Sequence, residues 1–239
     1  MRTDICYDYI LFDADGTLFD YERAETYALE KTFQDFKIAF LPGYLDKYKT
    51  INSGYWKAFE KGEVELKKLR IDRFKVLLDA LGIEAEAEPF SRGYINNLSL
   101  GIFLMPGALE LLKNLHDKID LGIITNGISE VQRRRFSLSK VESYFKGIII
   151  SEEIGFSKPS REYFEYTCRT LGIEEPSRVL VVGDSLSSDI LGGNNYGMAT
   201  CWLNPKKLTP GEIKPHFTIA ALEELHTVLT QSNPKLGIN

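Results

Sequence analysis

The amino-acid sequence predicts an α/β fold: a Rossmann-like parallel sheet with helices on both faces, plus an inserted all-helical cap. Two patterns indicate this fold. From about residue 108 onward, short β-branched and aliphatic runs alternate with helical patterns, as in the βαβ units that build a parallel sheet. Residues 19–100, by contrast, show helical periodicity and no convincing strand. At 239 residues, the chain is long enough for one large domain or two smaller ones.

The elements of the core are predicted from short apolar runs and from the residues that interrupt them. A buried strand is predicted at residues 7–12, and Pro106 and Gly107 precede the next predicted helix. Pro159 suits the first helical position of a later helix. In chain order, we predict helix 108–118, strand 121–125, helix 130–138, strand 147–151, helix 161–171, strand 178–182, a helix from about residue 188, and strand 198–203.

The cap is predicted from apolar residues at helical spacing. Leu29, Phe33 and Phe36 fall on one helical face. A second stripe, at positions i, i+3, i+4 and i+7, consists of Phe74, Leu77, Leu78 and Leu81. We therefore predict a discontinuous Rossmann-like core at residues 1–18 and 101–239 and a helical cap domain at residues 19–100.

The composition disfavours some classes of partner. The formal net charge is −5 and the isoelectric point is near 5.4, so neither nucleic acid nor a membrane surface is favoured. No apolar stretch approaches the ~20 residues of a membrane span, and we find no signal-peptide pattern. Cys6, Cys168 and Cys201 lie outside any metal-ligand spacing, so we interpret them as reduced core thiols. We expect a cytoplasmic protein.

Two pairs of aspartates follow predicted strands of the core. Asp13 and Asp15 come directly after the first strand, and Asp184 and Asp189 follow the strand at residues 178–182. Ligands of open α/β sheets bind outside the carboxyl ends of the strands. Carboxylates that gather there repel one another unless a cation or a proton intervenes, and oxygen ligands of this kind suit Mg²⁺. The pattern therefore predicts a Mg²⁺ site at this edge of the sheet.

The spacing of Asp13 and Asp15 suits chemistry on phosphorus. In extended backbone, residues at positions i and i+2 project to the same side. One carboxylate can then attack phosphorus while the other, protonated, serves the leaving oxygen. A divalent cation offsets the repulsion between the attacking carboxylate and a phosphate dianion. The alternative interpretation is a strand-end loop with helix-capping carboxylates.

Two further segments offer groups that suit a phosphate. Thr125, Asn126 and Gly127 follow a strand and supply a hydroxyl, an amide and backbone N–H groups at the start of the next helix. Lys158 follows another strand, where a fixed ammonium could neutralise charge on both phosphate and nucleophile. Asp189 could orient Lys158 or a metal-bound water. The alternatives are a hydrophilic turn with a capping residue and a surface lysine.

In their order and context, these segments resemble the motifs of the haloacid dehalogenase superfamily. The resemblance implies that Asp13 is the nucleophile and forms an aspartyl-phosphate, and that Asp15 is a general acid and then a base. It implies that Thr125 is a phosphate ligand and that Lys158 stabilises charge. Haloacid dehalogenases proper lack an aspartate at the position of Asp15, so its presence implies phosphoryl transfer rather than carbon–halogen cleavage.

The same resemblance implies a set of metal ligands. Mg²⁺ would be held by the Asp13 carboxylate, the Asp15 backbone carbonyl and Asp184. Asp189 would support these ligands without being one of them.

Three longer segments resemble the pyrimidine 5′-nucleotidases of this superfamily, which remove phosphate from deoxy- and non-standard pyrimidine monophosphates. They are residues 122–127, 151–159 and 182–204. The resemblance implies a Mg²⁺-dependent phosphomonoesterase that acts on a pyrimidine nucleoside monophosphate. The alternatives are a sugar-phosphate or phosphoglycolate-type phosphatase, a phosphomutase, and a catalytically silent metabolite-binding protein.

An aromatic group in the predicted cap is a candidate for contact with a base. Tyr55, Trp56 and Phe59 lie at helical spacing, and such rings can stack on a pyrimidine. Aromatic residues at helical spacing also form ordinary cores, which is the alternative. We take Trp56 as the candidate for substrate binding in the cap.

Overall fold

The computed structural model describes residues 7–230, and contacts divide the chain into two units. Of the described residues, the first unit contains 7–20, 104–129 and 139–230, and the second contains 21–103 and 130–138. We keep as a proposal the division into a core, residues 1–18 and 101–239, and a cap, residues 19–100. Residues 130–138 differ from it, because they group with the second unit, where Arg134 Nη1 donates to Asn96 Oδ1 at 2.6 Å.

From residue 108 onward, helices and strands alternate as in a doubly wound α/β protein. In chain order they are β1 Tyr9–Phe12, α1 Tyr21–Asp35, α2 Tyr44–Glu60, α3 Leu66–Leu81, α4 Ala87–Ser99, α5 Ala108–Leu115, β2 Asp120–Thr125, α6 Ser129–Ser139, β3 Gly147–Ile150, α7 Ser151–Ile154, α8 Arg161–Leu171, β4 Val179–Gly183, α9 Leu191–Tyr196, β5 Ala199–Leu203, β6 Phe217–Ile219 and α10 Leu225–Thr230.

The first unit is built on one parallel sheet of six strands, in the order β3-β2-β1-β4-β5-β6. Strand β1 lies between β2 and β4, and Phe12 is in register with Ile123 and Val182. Strands β1, β2, β4 and β5 are almost wholly buried because helices cover both faces of such a sheet. The strand order reverses between β1 and β4, which is where open α/β sheets form their binding crevice.

The fold class predicted from the sequence is confirmed, and the elements differ from the prediction mainly at their ends. Strand β6 is absent from the prediction because its three residues are too few to show a period. Ser151 begins α7 instead of ending β3. Pro159 is not the first residue of α8, because Ser160 caps that helix and its Oγ accepts a hydrogen bond from Tyr163 N at 3.4 Å.

The second unit is a group of helices with an aromatic core. Phe33 and Phe74 both pack against Phe90, with ring centroids 5.2 and 5.6 Å apart. A buried polar chain joins three of the helices: Arg73 Nη1 donates to Asn52 Oδ1 at 2.7 Å, and Asn52 Nδ2 donates to Glu25 Oε1 at 2.9 Å. Within residues 7–230, no helix combines the length and the apolarity needed to cross a membrane.

Candidate active site

Polar residues follow the carboxyl ends of three adjacent strands of the sheet. Asp13 comes directly after β1, Thr125 ends β2, and Asp184 comes directly after β4. Neighbouring strands lie about 5 Å apart, so these residues meet at one edge of the sheet. The Asp13 backbone N–H also donates to Val182 O at 2.9 Å, which continues the pairing of β1 with β4 by one residue. The sheet order therefore brings together groups that lie up to 171 residues apart in the sequence.

Lys158 is the centre of the site. Its Nζ donates to Asp13 Oδ1 at 2.6 Å, to Asp189 Oδ1 at 2.6 Å and to the Ile124 carbonyl at 2.8 Å. A lysine ammonium has three N–H groups, so all of its donors are used. The residue is only 1% exposed, and the interpretation as a surface lysine is therefore wrong. Lys158 joins the loop after β1, the end of β2 and the segment after β4.

The charges in the site are unbalanced, because three carboxylates surround one ammonium. Burial raises the pKa of the Asp13 carboxyl well above its usual range; Lys158 opposes this shift, and Asp189 and Asp184 add to it. Asp184 keeps an exposed surface, but desolvation by the surrounding protein raises the pKa of its carboxyl to about 7, and Asp189 adds to the shift. Burial alone would lower the pKa of Lys158, yet the Asp13 and Asp189 carboxylates outweigh it and the pKa stands above its ordinary value.

The carboxylates fit a small divalent cation. One oxygen from each of Asp13, Asp184 and Asp189 lies within 4.8 Å of the other two. Asp189 is already committed, since Oδ1 accepts from Lys158 and Oδ2 accepts from Ser185 N at 3.1 Å. Asp13 and Asp184 are therefore the carboxylates available to a metal ion. Hard oxygen ligands with excess negative charge match the chemistry that Mg²⁺ requires.

Asp184 and Asp189 are held by groups that the sequence interpretation missed. Trp202 Nε1 donates to the Asp184 carbonyl at 2.8 Å and fixes the backbone of that residue. A Cβ on Gly183 would lie 2.2 Å from Asp189 Oδ2, so only glycine leaves room for the Asp189 carboxylate. Gly183 could have been noticed in the sequence, because it directly precedes Asp184. The contribution of Trp202 has no local signal, because it depends on the pairing of β5 with β4.

Gly16 allows the loop after β1 to approach Asp184. Its φ is +83°, and its N–H donates to Phe19 O at 2.8 Å to close the turn. A Cβ at this position would lie 2.4 Å from Asp184 Oδ2. This position therefore requires glycine, both for its backbone conformation and for its close approach to Asp184, a candidate metal ligand.

Replacing Gly16 by alanine is expected to weaken Mg²⁺ binding by about tenfold, because the new methyl group displaces the Asp184 carboxylate. Calorimetric titration of the variant with Mg²⁺ measures the effect. Gly172→Ala is the matched control, since Gly172 also has a positive φ (+69°) but a Cβ there meets nothing within 4 Å. Equal Mg²⁺ affinity in both variants would show that the close approach of Gly16 to Asp184 does not matter for metal binding.

Only some of the polar groups of the Thr125–Gly127 segment are free to bind a phosphate, although the sequence pattern predicted this for all of them. The Gly127 N–H donates to Thr125 Oγ1 at 3.0 Å, which leaves the hydroxyl hydrogen of Thr125 for another acceptor. The Asn126 side chain is paired with the backbone of Lys158. At the start of α6, the Ser129 N–H is taken by Glu152 Oε2 at 2.8 Å, so this helix end is less open to phosphate than predicted. Binding of phosphate by Thr125 stays a prediction.

Asp15 and Trp56 lie outside the carboxylate group just described. Asp15 is half-buried and pairs with Phe19 in an isolated bridge; its side chain is not among the described acidic groups within 4.8 Å of one another. The implied use of the Asp15 backbone carbonyl toward a metal stays a prediction. Trp56 lies in the second unit, where its ring meets that of Phe59 edge to face at 5.7 Å. Its contact with a base stays a prediction.

Comparison with known proteins gives consistent matches over most of the chain. Residues 7–197 match the family model described as haloacid dehalogenase-like hydrolase. The HAD-hydrolase YfnB of Bacillus subtilis is 40% identical over 95% of this chain and 97% of its own. A crystal structure of YfnB bound to magnesium has a TM-score of 0.89, and the match covers 93% of this chain and 98% of that chain.

Two further relatives have names that state an activity. The pyrimidine 5′-nucleotidase YjjG of Escherichia coli is 35% identical over 93% of this chain and 98% of its own. The pyrimidine 5′-nucleotidase PynA of Streptococcus pneumoniae is 31% identical over 92% of this chain and 93% of its own. At these coverages, the similarity includes residues of both units.

Proposed function

Because this chain belongs to the haloacid dehalogenase-like hydrolases and is a phosphatase of that family, we propose that it hydrolyses phosphomonoesters through an aspartyl-phosphate on Asp13. The observation that supports this mechanism most directly is the position of Lys158 Nζ, which is 2.6 Å from Asp13 Oδ1 and 2.6 Å from Asp189 Oδ1 at the sheet edge between β1 and β4. A buried ammonium at that point fixes one oxygen of the proposed nucleophile and leaves the other, Oδ2, to react.

In the proposed cycle, Asp13 Oδ2 forms a bond to phosphorus and the ester bond to the leaving oxygen breaks. Asp15 gives its proton to that oxygen. Asp15, now a carboxylate, then takes a proton from water, whose oxygen bonds to phosphorus as the bond to Asp13 breaks. Thr125 donates its hydroxyl hydrogen to a phosphate oxygen, and Lys158 offsets the negative charge that gathers around phosphorus.

We propose that Mg²⁺ is the cofactor, held by the carboxylates of Asp13 and Asp184 and by the backbone carbonyl of Asp15. When bound, it supplies positive charge that reduces the repulsion between the Asp13 carboxylate and a phosphate dianion. Asp189 stays bonded to Lys158 and to the Ser185 N–H, so its part is to hold its neighbours in place.

We propose that the substrate is a pyrimidine nucleoside monophosphate, ribo or deoxy. Support comes from the two pyrimidine 5′-nucleotidase relatives, whose similarity extends along more than nine-tenths of this chain. The net charge of −5 disfavours a nucleic acid polymer as substrate. A small phosphorylated metabolite is therefore the class of partner that fits best.

The substrate proposal is tested by phosphate release from a panel of nucleoside monophosphates and sugar phosphates, each with and without Mg²⁺. Faster release from dUMP, dTMP or UMP than from purine nucleotides and sugar phosphates is the expected result. Preferred hydrolysis of phosphoglycolate or a sugar phosphate would overturn the substrate while keeping the mechanism. Isomerisation without net release would indicate a mutase. A substrate-dependent thermal shift without any turnover would indicate a silent binding protein.

Replacing Trp56 by alanine is expected to raise KM for pyrimidine nucleotides by about tenfold, because base stacking on an aromatic ring contributes ~1–3 kcal/mol. KM for a small aryl phosphate should change little. Phe59→Ala removes the ring that contacts Trp56 within α2, so it shows whether that packing contact is needed to hold Trp56. An equal rise in KM for both substrates in Trp56→Ala would assign Trp56 to packing alone.

A further inference from the structure

The side chain of Asn126 forms two reciprocal hydrogen bonds with the backbone of Lys158. Asn126 Nδ2 donates to the Lys158 carbonyl at 2.9 Å, and the Lys158 N–H donates to Asn126 Oδ1 at 2.9 Å. The two residues are 32 positions apart, so this is a contact between separate loops. One amide side chain therefore holds the backbone on both sides of the Lys158 Cα.

This contact controls the direction in which the lysine side chain leaves the backbone. Fixing the N–H and the C=O of a residue fixes the orientation of its Cα–Cβ bond. At the far end, Nζ is held by Asp13, Asp189 and the Ile124 carbonyl. A free lysine side chain has many rotamers, and holding it at both ends restricts that freedom before substrate arrives.

Ser129 makes two further hydrogen bonds between the part of the chain that follows β2 and the part that follows β3. Ser129 Oγ donates to Glu153 Oε1 at 2.5 Å, and Ser129 N donates to Glu152 Oε2 at 2.8 Å. Both contacts are exposed, and neither involves Lys158. The hydrogen bonds of Asn126 therefore hold Lys158, the proposed charge stabiliser, whereas those of Ser129 do not. Substitutions at these two residues can be compared directly.

We propose that the Asn126 side chain is a positioning residue, which acts on the reaction through Lys158 and not by binding phosphate. The inference rests on the proposed function and changes one part of it, since the sequence pattern assigned the Asn126 amide to the phosphate. The side-chain oxygen and one N–H are already used by Lys158. The backbone N–H of Asn126 stays compatible with phosphate binding. The Asn126 side chain instead fixes the position of the Lys158 ammonium, which faces Asp13.

Asn126→Ala is expected to lower kcat by about 30-fold and to leave KM within about threefold, because a misplaced group on a reacting centre typically costs 10–100-fold. The inhibition constant of inorganic phosphate should stay within the same threefold range. A phosphate ligand would behave in the opposite way, with weaker phosphate binding and a raised KM. Asn126→Asp keeps the acceptor for the Lys158 N–H but turns an oxygen toward the Lys158 carbonyl, so it should lower kcat at least as much.

The reactivity of Lys158 gives a measurement that does not depend on turnover. In the native protein, this amine is buried and bonded to three acceptors. We expect an amine-acetylating reagent to modify Lys158 at least about ten times faster in Asn126→Ala than in the wild type, as scored by mass spectrometry of the Lys158 peptide. Ser129→Ala should match the wild type in Lys158 labelling and in kcat.

The two measurements separate the failure of this inference from the failure of the proposed function. A wild-type enzyme that releases no phosphate, together with faster Lys158 labelling in Asn126→Ala, would remove the proposed function and keep the positioning role. An active wild type with unchanged kcat or unchanged labelling in Asn126→Ala would overturn the positioning role. So would a variant whose only defect is weaker phosphate binding.

Discussion

Replacing Asp13 by asparagine is expected to lower phosphate release by at least about 10⁴-fold. The amide cannot attack phosphorus, and the substitution also removes a negative charge from the proposed metal site. Initial rates with the best substrate of the panel, at saturating Mg²⁺, measure the loss. The loss should be this large because every later step depends on the bond between Asp13 and phosphorus.

The control for Asp13→Asn is the stability of the fold. Asparagine has nearly the shape of aspartate, and Lys158 keeps its bonds to Asp189 and the Ile124 carbonyl. The thermal unfolding midpoint should therefore stay within about 5 °C of the wild type. A correctly folded variant with near-normal turnover would show that Asp13 is not the nucleophile.

Replacing Lys158 by methionine is expected to lower kcat by about 10³-fold and to destabilise the protein by about 3–5 kcal/mol. Methionine is similar in length but has no charge, so the buried Asp13 and Asp189 carboxylates would face each other without the ammonium that now lies 2.6 Å from each. Steady-state kinetics and denaturant unfolding measure the two effects.

Lys146→Met is the matched control for this substitution. Lys146 also contacts an aspartate, Asp120, but at 3.3 Å and with a side chain that is 60% exposed. Because exposed ion pairs contribute little, its removal should change stability by less than about 1 kcal/mol and leave kcat unchanged. Similar losses in Lys146→Met and Lys158→Met would mean that the position of Lys158 has no special importance.

The sequence was sufficient to predict the parallel sheet and the residues at its edge. Strand segments such as residues 121–124 and 179–182 are continuous apolar runs, which is what a strand buried on both faces requires. Asp13 and Asp184 follow such runs directly, and parallel strands place their carboxyl ends at one edge. A residue that directly follows a buried strand could therefore be placed at the carboxyl edge of the sheet from the sequence alone.

Contacts between distant segments could not be predicted in this way. The Asn126 pattern suggested a phosphate ligand, because nothing in the local sequence shows that its amide faces the Lys158 backbone. The bond from Trp202 to the Asp184 carbonyl depends on the register of β5 with β4. Strand β6 has only three residues, too few to show a periodic pattern of apolar residues. These features are set by tertiary packing, which a single sequence does not encode as a local pattern.

Trapping the phosphoryl group on Asp13 would test directly whether the reaction passes through an aspartyl-phosphate. The wild-type enzyme is mixed with a substrate whose phosphate is radiolabelled, quenched in acid during the first turnover, digested, and searched for a labelled peptide. We expect label on the peptide that contains Asp13, released by hydroxylamine as an acyl phosphate would be, and no label in Asp13→Asn. Turnover that proceeds with no labelled peptide, or with label on another residue, would contradict an aspartyl-phosphate on Asp13.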